Sequence, residues 1–420
     1  MTKRLIFTVV LLVLASPAAV FAQTYAIKNA KIVTVTGPTI PNGNILIQDG
    51  KIAAVGANIS IPANAKVVDA KGLTAYPGMI DPHTSVGLQE IGSVGAMQDT
   101  SEMGELNPHV KASAAINPQS EHVAITRANG VTTVGSLPRG GLISGQGAVI
   151  DLNGWVLKDM LVKDSAVMVV NYPRDINLAA NATDRERRDA EDARKKRIDL
   201  LRQTLKDAQA FARIVDARSA DADANPVLRA LVPVVKGQET ALFDVETANE
   251  IKGALDIADE FKLKAVLSGC AEAWKVVNLL KSTNVPVILG GTLKSPGEDS
   301  YAYDVNYTTA AVLVKAGVKV AFTTNSTSSA RDLPWHAGMS VAFGLPKDEA
   351  LKAVTINAAQ ILGIDSQTGS ISEGKIANIM LTDGDPFEHA TKVKQLFVGG
   401  KPVDLKSKQT ELYEKFLKRP

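Results

Sequence analysis

Of the five histidines in this chain of 420 residues, His83 stands out because it closes an apolar run of the kind that becomes a core strand. The run reads Tyr76-Pro77-Gly78-Met79-Ile80-Asp81-Pro82-His83-Thr84-Ser85. An imidazole in such a place can ligate a divalent metal or accept a proton. Other apolar runs end in groups of related chemistry: Asp244 and Glu246 after Leu242-Phe243, Ser268-Gly269-Cys270 after Val266-Leu267, and Asn325 after Phe322-Thr323-Thr324. His109 and His336 fall in segments read as loops, from which they can line a pocket. Metal-assisted hydrolysis requires several strong ligands around one point, and a neutral hydroxyl such as that of Ser85 is a poor one for zinc. The single cysteine, Cys270, excludes both a thiolate-bound metal cluster and an internal disulfide.

A second source of ligands is the segment from Glu90 through Asp99, Glu102 and Glu105 to His109, which has no Lys or Arg before Lys111. With His83, its carboxylates could hold a hard cation such as Ca²⁺. Loop spacing fixes no geometry, so a solvated surface loop is the plainer expectation. His122, in an expected helix, and His389, near the far end of the chain, read as structural or surface residues.

The elements that position these groups follow from hydrophobic period. Strand-like runs are expected at Leu73 to Ile80, Val131 to Ser136, Ala166 to Asn171, Ala241 to Val245, Ala265 to Ser268, Pro286 to Leu289 and Val318 to Thr323. Helical stretches follow them at about Ser120 to Asn129, Thr183 to Ala217, Thr247 to Phe261, Glu272 to Thr283, Asn306 to Ala316 and Pro346 to Leu362, with Gly317 and Gly363 as stop signals. That alternation is the signature of a parallel sheet wrapped by helices. The mixed-charge run from Asp184 to Arg197 reads as a solvated helix face. Short β-branched runs with turn signals return at both ends of the chain, and the fold expected is a (β/α)8 TIM-like barrel with a small composite β-sandwich domain formed by both chain ends. The boundaries expected are 23–76 and 368–405 for the β-domain, 77–367 for the barrel and 406–420 for a closing helix.

Three of these patterns, Pro77-Gly78-Met79-Ile80-Asp81-Pro82-His83, Thr323-Thr324-Asn325-Ser326 and Gly374-Lys375-Ile376-Ala377-Asn378, together resemble the amidohydrolase superfamily, particularly its imidazolonepropionase-like branch. The resemblance runs from about Tyr25 to Val403 and includes the helix from Glu349 to Gly363. In that family the patterns usually read Pro-Gly-x-Ile-Asp-x-His-x-His, Thr-Asp-Ser and Gly-Lys-x-Ala-Asp. The resemblance implies hydrolysis of a carbon–nitrogen bond by a metal-acidified water. It also implies a ligand set: two histidines after the first strand, a lysine or carboxylate near the fourth, histidines after the fifth and sixth, and an aspartate after the last that doubles as base.

On that set this chain departs repeatedly. His83 matches the first ligand, Ser85 stands for the second, the runs ending near Asp244 and Ser268 bring no histidine, and Asn325 replaces the aspartate. Asn378 replaces a further aspartate that is expected to be structural. The glycine-rich segment Gly140 to Gly147, with Gln146, resembles a loop that the branch carries at the barrel mouth. Ser372-Glu373-Gly374-Lys375 matches a penicillin-binding pattern without its partner motifs and reads as coincidence.

With 45% hydrophobic and 21% charged residues the chain has material for a large core. Met1 to Ala22 read as a charged start, an apolar stretch and a small-residue cleavage site, so residues 1–22 are expected to be a signal peptide and the mature protein periplasmic or secreted, without a membrane anchor. Loss of Lys3 and Arg4 brings the formal charge of +2 to about zero, which makes nucleic acid a poor partner. The expectation is therefore an amidohydrolase-family protein whose metal site is degenerate, binding a small amide-like molecule or supporting an active relative, with homo-oligomers possible. The alternative is an active hydrolase that uses one divalent metal, Zn or Ca, in a single or rearranged site.

Overall fold

The computed structural model describes residues 23–179, 181–217, 225–297 and 301–419. The signal peptide expected at 1–22 lies outside the described residues. Two eight-stranded sheets organise the chain.

The first sheet draws on both chain ends: β1 (Tyr25–Ile32), β2 (Ile40–Gln48), β3 (Lys51–Gly56), β4 (Lys66–Asp69) and β5 (Thr74–Pro77) pair into one sheet with three late strands. Its own core of Ile27, Ile45, Ile47, Ile379 and Phe397 is separate from the barrel's. The second sheet is the barrel, made of β6 (Met79–Thr84), β7 (Val131–Ser136), β8 (Ile143–Asp151), β9 (Leu161–Asn171), β10 (Thr240–Val245), β11 (Ala265–Gly269), β12 (Val287–Leu289) and β13 (Val320–Phe322), hydrogen-bonded in sequence order. The late strands of the first sheet are β14 (Ile379–Thr382), β15 (Val393–Val398) and β16 (Lys401–Val403).

Pleating divides the barrel strands into an inner and an outer set. Ile80, Val149, Val167, Val169, Leu242, Val266, Ile288 and Ala321 pack together as one cluster, while their sequence neighbours Ala241, Phe243, Leu267, Val287 and Phe322 belong to the larger cluster shared with the helices. Period two then carries the residues two further on, Asn171, Asp244, Ser268 and Thr323, towards the same inner side at the strands' carboxyl ends. The helix Ile356–Leu362 supplies Ala358, Ala359 and Leu362 to the inner cluster, and Val354 O accepts from Ile80 N at 2.8 Å.

Three sequence expectations are corrected here. Leu73 to Ile80 is two strands in different sheets, because the chain crosses between them at Gly78, where a Cβ would lie 2.2 Å from Thr132 Oγ1. The glycine-rich segment enters a barrel strand instead of forming a loop: β8 runs antiparallel between β7 and β9 and is buried throughout. Its glycines admit the close approach, since a Cβ on Gly147 would lie 2.1 Å from Leu137 Cδ2. Counting β8, the run ending at Asp244 is the fifth barrel strand and that ending at Ser268 the sixth, which leaves Asn171 as the end of the fourth.

Most helices lie near their expected places: Asp184–Asp216 is capped by Thr183 and Glu186, and Val305–Ala316 and Ile356–Leu362 end at the left-handed Gly317 and Gly363. Pro226–Val235 and Leu333–Ala342 are additional. The helix expected over Pro346 to Leu362 is two, Lys347–Ala353 and Ile356–Leu362, with Thr355 off the helical backbone at φ −135° and ψ −95°. No helix among the described residues is long and apolar enough to cross a membrane.

Candidate functional site

The barrel mouth gathers His83, Ser85, Asn171, Asp244, Ser268 and Asn325 from the ends of five strands. A register shift between Asp81 and Thr84 separates the roles of neighbours on β6. Asp81 turns to the last strand, and His83 turns to the sixth, where its Nδ1 lies 2.8 Å from Ser268 Oγ. Burial pushes the His83 imidazole down to about 4; Asp244 opposes that shift and the Arg139 guanidinium adds to it. The ring is therefore neutral near pH 7 and feels both an anion and a cation.

Asp244 is fixed by Arg174, whose Nη2 lies 3.0 Å from its Oδ2 and whose Nη1 reaches the buried Glu250 at 2.9 Å. Its other oxygen, Oδ1, is buried without a hydrogen-bond partner, and so is Ser85 Oγ. Glu246 sits beside this pair, its carboxyl raised by burial and by Asp244, and accepts from Ala271 N at 3.3 Å. Arg139, just past β7, donates from Nη2 to both the backbone O and Oδ1 of Asn325, each at 3.0 Å. Asn325 holds a left-handed φ of 48°, a conformation asparagine tolerates better than most residues.

The remaining expected residues take other places. Gln146, on β8, donates to Pro108 O at 3.0 Å and so straps the acidic loop to the barrel. His109 and the carboxylates Asp99, Glu102 and Glu105 of that loop are exposed, and Glu105 pairs with Arg197. His336 is buried on Leu333–Ala342, with Nδ1 unpartnered and its pKa lowered to about 4, by burial first and then by Lys294. Cys270 is fully buried, and burial holds its thiol well above the usual range. Arg139, Arg174 and Asn171 were not singled out from the sequence. The strand-end rule that found Asp244 also applies to Asn171 and to the turn Leu137-Pro138-Arg139. Asn171 braces the mouth, its Nδ2 donating to Gly140 O, Gly141 O and Ser144 Oγ.

Members of the superfamily typically bind divalent metals, and the donors at this mouth do not fit one. The six strand-end positions offer one imidazole and one carboxylate, and that carboxylate is held by Arg174. Among the described residues no three His, Cys, Asp or Glu side chains group so as to hold a metal ion. A guanidinium on Asn325 adds positive charge next to the place of the final ligand.

The sequence profile of the amidohydrolase family matches residues 246–403. The imidazolonepropionase of Idiomarina loihiensis is 26% identical over 368 residues, covering 81% of this chain and 86% of that protein. The D-hydantoinase of Geobacillus stearothermophilus is 46% identical over 72 residues, which is 17% of this chain and 15% of that one. Among solved structures, an amidohydrolase from Thermotoga maritima superimposes with a TM-score of 0.79 at 25% identity, covering 90% of this chain and 99% of its own. Fold, motifs and relatives agree: the chain belongs to the amidohydrolase superfamily, in its imidazolonepropionase-like branch, and has hydrolases of carbon–nitrogen bonds among its relatives.

Proposed function

We propose that this protein is a metal-free member of its family, exported to the cell envelope, that binds a small amide-like molecule at the barrel mouth without hydrolysing it, alone or as a supporting subunit beside an active relative. The observation that carries the reading is the replacement of the ligand set by Ser85, Asn171, Ser268 and Asn325, with Asp244 committed to Arg174. Without a metal and without the final aspartate there is neither an acidified water nor its base. The unpartnered Ser85 Oγ and Asp244 Oδ1 support binding, because buried polar atoms without partners cost about 1–3 kcal/mol each and a polar ligand removes that cost.

The test is metal analysis of the mature protein after growth with added zinc, followed by a hydrolysis screen of N-acyl amino acids, dipeptides and cyclic amides with Zn²⁺, Mn²⁺ or Ca²⁺. The expected result is substoichiometric metal and no turnover. Stoichiometric metal together with chelator-sensitive turnover that His83→Ala abolishes would replace this reading with that of a hydrolase using a single or rearranged site.

A further inference from the structure

A cavity of about 750 Å³ opens at the end of the barrel opposite the mouth. β8 runs antiparallel, so Asp151 at its end pairs with Thr133 near the start of β7, and the turn that follows lies by the amino ends of the parallel strands. That turn forms one wall, the helix Glu121–Arg127 a second, and the hairpin of β15 and β16 a third. None of the residues that gather at the mouth lines it, and its volume suits a small ligand.

Trp155 stands on the turn and is 82% exposed. The exposure does not come from a loose chain. Its backbone N donates to Asp159 Oδ2 at 3.3 Å, and its backbone O accepts from Gln119 Nε2, in the segment that leads into the helix, at 3.0 Å. The turn is also tight, since a Cβ on the preceding Gly154 would lie 2.5 Å from Met160 Cγ. An indole has a large apolar face to bury, and this one is carried on a fixed backbone at the edge of a cavity and left to solvent.

The charges on the walls cancel. Arg127 and Lys401 are matched by Glu121 and Asp159, and none of the four forms an ion pair among the described residues. Arg127 is held by a hydrogen bond from Nη1 to Leu152 O at 3.2 Å, and Asp404 already answers part of its charge. An anionic ligand meets Glu121 and Asp159 here, and a cationic one meets Arg127 and Lys401. A neutral ligand that both donates and accepts hydrogen bonds meets neither cost, and the amide of Asn153 adds a donor and an acceptor without charge. A pyranose ring has such an edge of hydroxyls, and its C–H bonds form an apolar face that an indole can cover.

We propose that this cavity is a second binding site, for a neutral oligosaccharide, with one pyranose ring stacked on Trp155 and its hydroxyls bonded to the polar side chains of the walls. The proposal is independent of the reading of the barrel mouth and holds whether or not the mouth takes a metal.

Saturation-transfer NMR and tryptophan fluorescence on the purified protein test it with three neutral probes, cellotriose, maltotriose and triacetylchitotriose. Two charged probes of the same length, the trimers of galacturonic acid and of glucosamine, serve as contrasts. At least one neutral trimer is expected to bind with a Kd on the order of a millimolar, and more tightly than either charged trimer by about threefold or more. Trp155→Ala, at an exposed side chain, is expected to weaken that binding by about tenfold with an unchanged melting temperature. Lys401→Met, also at an exposed side chain, is expected to weaken it by about threefold. No binding of any neutral trimer, tighter binding of a charged one, or an affinity unchanged in Trp155→Ala would overturn the proposal. So would a change of oligomeric state in Trp155→Ala, read by light scattering, with sugar binding intact, because the indole would then be a contact between copies of the chain.

Discussion

Thr323 Oγ1 lies 2.6 Å from Asp81 Oδ1, and through that contact the last barrel strand is fastened to the first. The hydrogen-bonded ladder runs from β6 to β13 without joining its two ends. Thr324 completes the clasp, its hydroxyl at 2.6 Å and its amide at 3.1 Å from Asp81 Oδ2. The same Thr323 hydroxyl lies 2.6 Å from His83 O, so the clasp also sets the depth of the candidate site. Asp81 thus belongs to the barrel's construction, and a chain that departs from its family in ligands can still retain it.

Asp81→Ala is expected to destabilise the protein by roughly 3 kcal/mol, because it leaves the buried Thr324 hydroxyl and amide without their acceptor and takes from the Thr323 hydroxyl one of its two. Thr323→Val removes one donor and should cost less. Urea unfolding followed by tryptophan fluorescence checks both. A loss below about 0.5 kcal/mol in Asp81→Ala would show that the strands hold together without the clasp.

A second buried carboxyl gives a pH dependence. Asp151, on β8, accepts from Thr133 Oγ1 at 2.6 Å and from Asn378 Nδ2 at 2.9 Å, and burial raises its pKa to about 6. A raised carboxyl holds its proton in the fold where the unfolded chain has released it, so its stabilising contribution is full below the ordinary value of 3.8 and lost as pH rises through 6. His83 and His336, both lowered to about 4, slope the other way, so the difference between variants is the quantity to read. Asp151→Asn should match the parent near pH 4 and gain on it in melting temperature by pH 7. Asn378→Asp, which sets a second carboxyl against Asp151, should do the reverse. Parallel melting curves from pH 4 to pH 7 would sink this account.

The fold was largely legible in the sequence because it is written in apolar runs, which period and flanking glycines locate well. β8 escaped because a strand with glycines at 145 and 147 lacks the β-branched texture by which strands are recognised, and its reason for glycine, contact with Leu137 and with Val110 O, is visible only in three dimensions. The missing strand shifted the count and hid Asn171 at the fourth strand's end. The site was half legible. Departures from the family's pattern at residues 85, 268 and 325 can be read from types and order, whereas Arg139 on Asn325 and Arg174 on Asp244 join residues 186 and 70 positions apart, and no spacing rule connects them.

Gly145→Ala tests the reading of β8 as a strand that depends on its glycines. Gly145 holds φ at 128°, and an added Cβ would lie 2.6 Å from Val110 O, a backbone atom that cannot rotate away. The expected cost is about 2–3 kcal/mol, from overpacking and a backbone conformation that L-residues avoid. Gly72→Ala is the control for conformation alone, since it has φ 81° and nothing within 4 Å of its Cβ. Equal losses in the two variants would mean that the close approach along the acidic loop contributes nothing.

The relation between Arg139 and Asn325 bears on whether the family's chemistry can be restored. Asn325→Asp puts back the carboxylate of the usual final ligand, but it does so 3.0 Å from Arg139 Nη2, where a charge-assisted hydrogen bond forms at once. A carboxylate engaged by a guanidinium is a weak metal ligand, and the nearby positive charge opposes a divalent cation. Ser85→His with Asn325→Asp is therefore expected to purify without stoichiometric zinc, although it offers an imidazole pair and an aspartate. Adding Arg139→Gln frees the new carboxylate and should raise zinc affinity above that of the double variant, as measured by competition with a chromogenic chelator. Zinc uptake by the double variant with Arg139 in place would show that the guanidinium does not stand in the metal's way, and that the residues at positions 85 and 325 alone keep zinc from the site.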